Sequence, residues 1–135
     1  MTIEESMRHV LEQRDSLAAL FYDEFFDRHP EAKPLFKDVN LKYQTVLLTM
    51  ALMVVQRHYA DGYRATELYL QHLGHKHHQR AVPPELYPKW VESLLAALEK
   101  FHGPDWDAEA AKQWRAALDR ASEVMLVGYR EPVHV

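Results

Sequence analysis

The chain has 135 residues, 47% hydrophobic and 27% charged, with a net charge of −4. That suffices for one buried core and gives no electrostatic reason to bind nucleic acid or an anionic membrane. Cysteine is absent, which excludes disulfides, thiol catalysis and iron–sulfur ligation and fits a reducing cytoplasm.

The expectation is a single domain over 1–135. The acidic start Met1-Thr2-Ile3-Glu4-Glu5 lacks a secretory leader's apolar stretch. The longest apolar run, 46–55, carries Thr49 and is too short to span a bilayer. Every periodic segment repeats at the helical interval, so the class is all-α.

Thr2 with Glu5 predicts a capping box for a first helix within 1–14, running to about Gln13. A second helix over 15–29 ends before Pro30 and turns Ala18, Phe21, Tyr22, Phe25 and Phe26 inward. Residues 31–36, with Pro34 inside, allow a short helical turn, and Asn40 can cap the next helix. This third helix, 41–59, has one face of Leu41, Leu48, Leu52, Val55 and Tyr59, with Gln44 in the same sector. A buried glutamine amide costs roughly 1–3 kcal/mol unless partnered. It either satisfies a backbone group or points into a cavity at a ligand.

Asp61-Gly62 stops that helix, and a fourth covers 65–80. Pro83-Pro84 breaks the chain and sits in the first turn of a fifth helix bearing Tyr87, Trp90, Leu94, Leu95 and Leu98. That helix stops at His102-Gly103-Pro104. Asp107 caps the last helix, with Trp114, Ala117, Leu118, Ala121 and Met125 inside, ending at Gly128 before a frayed tail over 129–135.

Four of the nine histidines lie between His72 and His78. On a helical wheel Leu70, Leu73 and His77 share one sector, His78 sits at its edge, and His72, His75 and Lys76 point away. A core-facing imidazole serves as a hydrogen-bonded core residue, a general base or a metal ligand. The spacing alone leaves those three open.

Several stretches in order resemble the globin family, specifically the bacterial single-domain haemoglobins and the haem domain of flavohaemoglobins. They are Leu20-Phe21-Tyr22 through Pro34-Leu35-Phe36, then Gln44 with Leu48, then Leu73-Gly74-His75-Lys76-His77 followed by Val82 and Tyr87. The resemblance runs from about residue 17 to 125. Tyr43 with Leu47 is the alternative register on the third helix, though Tyr43 points off its apolar face.

The resemblance implies a globin fold around haem b (iron protoporphyrin IX), with His77 as the iron ligand and Phe36, Leu48, Val82 and Tyr87 against the ring. The second nitrogen of His77 would donate to a carbonyl one turn back, near Leu73. Tyr22 and Gln44 would be donors to a bound gas and the catalytic candidates. The plain alternative for Tyr22 is a core tyrosine with its hydroxyl on a backbone carbonyl. Ligands would be O2, NO and CO, with tight O2 binding. Nitric oxide dioxygenation with an external reductase is the implied activity, and an O2 reservoir or gas sensor acting through a partner surface is the alternative. The protein would be cytoplasmic, a monomer or homodimer, and free of nucleic acid and membrane. One departure concerns the family's buttress for the iron-bound histidine, a tyrosine and a glutamate. Tyr87 matches the tyrosine, but counting from Trp114 brings Gly128 to the glutamate's place, which weakens the case for peroxidase-like chemistry.

Overall fold

The computed structural model describes residues 1–13 and 16–130. The expected first-helix end at 14, the second-helix start at 15 and residues 131–135 of the expected tail lie outside them. Six α-helices form: α1 (Ile3–Glu12), α2 (Ser16–Arg28), α3 (Leu41–Asp61), α4 (Arg64–Gln79), α5 (Leu86–His102) and α6 (Ala108–Val127). Short 3₁₀ segments occupy Pro30–Phe36 and Gly103–Asp105. The described residues are all-α, and none of their helices is long and apolar enough to cross a membrane.

The helix ends obey local chemistry. The Thr2 hydroxyl accepts from the Glu5 N–H at 3.1 Å, Asn40 Oδ1 from Tyr43 at 3.1 Å, and Asp107 Oδ1 from Ala110 at 2.9 Å. Each satisfies one of the N–H groups that a helix start leaves unpaired. Gly62 closes α3 at φ 62°, a left-handed conformation that glycine adopts without steric cost. Pro83 and Pro84 precede α5 rather than opening it: their carbonyls accept from Leu86 and Tyr87 at 3.1 Å, forming a tight turn that feeds the helix.

Helix α2 packs chiefly on α5, and α4 on α6. The core contains Phe21 and Phe25 from α2, Leu52 and Val55 from α3, Leu94 and Leu98 from α5, and Trp114 and Leu118 from α6. Leu41, expected on the buried face of α3, is 42% exposed. The period places it in the right sector, but burial along that face begins only at Leu48.

The α4–α6 crossing is backbone against backbone. A Cβ on Gly74 would lie 1.8 Å from the Met125 carbonyl oxygen, and one on Gly128 would lie 2.1 Å from the Gln71 carbonyl oxygen. Only glycine fits either position. His75, expected to face water, is drawn into this crossing, where its Nδ1 lies 3.2 Å from the Gly128 carbonyl.

Candidate functional site

A cavity of about 350 Å³ opens between α2, α3, α4 and α5. Its walls are mainly apolar, and all seven residues singled out from the sequence reach it: Tyr22, Phe36, Gln44, Leu48, His77, Val82 and Tyr87. Leu47 also lines it, whereas Tyr43 does not and is 62% exposed. From the start of α3 the cavity thus takes Gln44, Leu47 and Leu48. A broader depression of about 470 Å³ beside α1 and α5 is edged by Glu12, Lys100 and Asp105. It lacks the apolar walls that enclose a ligand.

Tyr22 is held by aromatic neighbours. Its ring centroid lies 4.9 Å from Phe21, 5.8 Å from Phe26 and 5.6 Å from Phe36, the last edge to face at 71°. The 3₁₀ segment delivers Phe36 to this cluster. Burial pushes the Tyr22 phenol up to about 12, and the Gln44 amide facing its hydroxyl offsets that only in part. Tyr22 thus stays protonated and available as a donor throughout the physiological range.

His77 sits in the last turn of α4, beyond the glycine crossing that fixes that helix end. Its Nδ1 lies 2.9 Å from the Tyr87 hydroxyl, not on a carbonyl near Leu73 as expected. A phenol on α5 reaches the ring edge first, and wheel geometry within one helix contains no information about it. Burial, and then the charge of Arg80, lower the imidazole to about 4. It is neutral at pH 7 and can donate a nitrogen lone pair. With Nδ1 engaged, Nε2 remains for a ligand.

Three other residues escaped the sequence reading. Lys76 lines the cavity although the wheel turns it away, and Arg80 joins it; long cationic side chains reach well beyond their helical sector. Tyr129, assigned to the tail, donates its hydroxyl to the Val82 carbonyl at 2.7 Å. Its ring meets Tyr87 at 5.8 Å and 77°. Nothing in the local pattern marks it, because that contact spans the sequence from α6 to the turn after α4. Among the described residues no three His, Cys, Asp or Glu side chains gather to hold a bare metal ion. A metal at His77 would need its other ligands from a larger group.

The family model described as Globin matches residues 19–125. The chain is 26% identical over 117 residues to a flavohemoprotein of Halalkalibacterium halodurans, covering 85% of this chain and 28% of that protein. A flavohemoprotein of Bacillus subtilis is 28% identical over 114 residues, with 80% and 28% covered. An uncharacterized globin-like protein of Aquifex aeolicus is 27% identical over 115 residues, with 85% and 80% covered. The chain thus spans little more than a quarter of either flavohemoprotein.

Proposed function

The chain belongs to the globin family of haem-binding proteins, and from that premise we propose that its cavity holds haem b with His77 as axial ligand, in the service of tight O2 binding. The residues fit the group. The walls are apolar enough for a porphyrin, a neutral imidazole offers one free nitrogen, and Lys76 and Arg80 supply charge suited to the two haem carboxylates. Haem would supply the iron that takes up a diatomic gas.

The protein's own part is to place donors. The observation that supports retention of O2 is that Tyr22 and Gln44, two hydrogen-bond donors, line the same cavity as His77. Haem iron would hold O2 with partial negative charge, so the Tyr22 and Gln44 donors would be charge-assisted, each worth roughly 1.5–3 kcal/mol. One such bond slows O2 release about ten- to a hundredfold. Slow release suits oxygen chemistry better than delivery. The reaction we propose is NO + O2 + one electron to nitrate, with the electron supplied by a separate reductase. An O2 reservoir or sensor uses the same donors without that electron.

The test has two stages. Absorption spectra of the haem-reconstituted protein, oxidised and reduced, with and without CO, should show a Soret band that responds to gas. Ferrous protein should look five-coordinate, because His58 does not line the cavity. Tyr22→Phe should then speed O2 dissociation about ten- to a hundredfold and change CO release much less, since CO gathers little charge. Gln44→Leu should act in the same direction more weakly and non-additively. Absence of a Soret band sinks the haem reading. Equal effects on O2 and CO would point to steric gating and remove the support for oxygen chemistry.

A further inference from the structure

Resting on the reading of His77 as axial ligand, we propose that Tyr129 is a positioning residue for its imidazole, the outer member of a hydrogen-bond chain that runs His77–Tyr87–Tyr129 and ends on the Val82 carbonyl. Proton counting sets the direction. A tyrosine hydroxyl has one proton, and Tyr129 spends its own on Val82 at 2.7 Å. The Tyr129 oxygen is then free only to accept. A neutral imidazole also has one proton, and an imidazole that ligates through Nε2 must carry it on Nδ1. Nδ1–H therefore donates to the Tyr87 oxygen at 2.9 Å. The Tyr87 proton is then free to turn away from the imidazole toward Tyr129, whose ring meets that of Tyr87 edge to face at 5.8 Å and 77°.

The backbone closes the circuit. The Val82 N–H donates to the His77 carbonyl at 3.0 Å, so the acceptor at the chain's far end is tied to the residue at its near end. Ala81, with φ 61°, makes the reversal that brings Val82 back. Gly128 lets α6 approach α4 closely enough for the next residue to reach the site. Glycine at that position and tyrosine after it are thus one device: the missing side chain makes room, and its neighbour supplies the phenol. The chain ends on a neutral carbonyl, with Arg80 as the charge nearest the imidazole and Glu85 the one facing Tyr129.

Each link polarises the next, so removing Tyr129 should weaken the Nδ1–H bond at the other end of the chain. In ferrous, gas-free holoprotein, Tyr129→Phe should move the iron–histidine stretching band to lower frequency and raise the iron midpoint potential, with haem retained. Tyr87→Phe should produce a larger shift of the same sign, and the double variant no more than Tyr87→Phe alone. A purely structural Tyr129 would lower the melting temperature and leave both readings in place, which overturns the proposal. So does additivity in the double variant. Haem-free protein provides an independent arm: the Tyr129 hydroxyl proton should be a slowly exchanging NMR resonance that shifts in Tyr87→Phe. An unmoved resonance overturns the coupling of the two phenols whether or not haem binds. Loss of the iron–histidine band in the parent protein would instead strike the ligand assignment.

Discussion

Two histidines near helix ends, half-buried His77 in α4 and buried His102 in α5, share two coarse features. Burial is the leading cause lowering both, and each has a hydroxyl within hydrogen-bond distance. The difference is which nitrogen is taken. Tyr87 engages Nδ1 of His77 and leaves Nε2 beside an apolar cavity. At His102 the engaged nitrogen is Nε2, 2.6 Å from the Ser6 hydroxyl, which itself accepts from Trp114 Nε1 at 2.8 Å. The His102 ring also lies nearly parallel to Trp106, at 11° and 5.9 Å. One arrangement presents a lone pair to a ligand, and the other clamps α1, α5 and α6 together. A depressed pKa does not separate them; the partner and the cavity do.

The largest expected effect breaks the symmetry outright. His77→Ala should abolish haem retention, while His102→Ala, His75→Ala and His78→Ala leave the absorption spectrum nearly unchanged. Loss of haem on removing any of those three would show that the ligand is misassigned. Next is Gly74→Ala, which drives a methyl into the Met125 carbonyl. It should destabilise the fold by about 3 kcal/mol and weaken haem binding as well, since α4 must shift. Denaturant unfolding with haem titration reads both; unchanged stability would mean that α4 and α6 separate freely.

The smaller effects belong to the other histidine. Ser6→Ala strands a buried indole N–H and removes the partner of His102, and should cost about 1–3 kcal/mol with the haem spectrum intact. His102 also predicts an acid limb. Burial and the charge of His9 hold it below the ordinary 6.5, against a smaller opposing pull from Asp105. The unfolded chain then binds the proton more readily than the folded one. The stability contributed is complete above about pH 6.5 and is lost as pH falls toward the folded pKa. His102→Gln should flatten that limb in a series of unfolding curves, and an identical slope would place the titration elsewhere.

Much of this was legible from local pattern. The caps at Thr2, Asn40 and Asp107, the stop at Gly62 and the break before α5 are written in short-range chemistry, and the structure places them there. The wheel alone aligned His77 with Leu70 and Leu73, because neighbours on one helix face are determined by a fixed angular period. Tyr22 and Gln44 were readable for the same reason: each occupies an inward sector of its own helix. What the period could not supply was anything depending on how two helices meet. Leu41 has the right sector and no cover; His75 has the wrong sector and is covered by α6. The hydroxyl on Nδ1 of His77 comes from another helix, ten residues on, and Tyr129 reaches Val82 across 47 residues. The close approach that brings the Tyr129 segment to α4 exists because two glycines let the backbones touch there. The amino-acid sequence by itself determined which side chains each helix turns inward. Tertiary structure decided which of them meet, since a crossing distance depends on both helices at once.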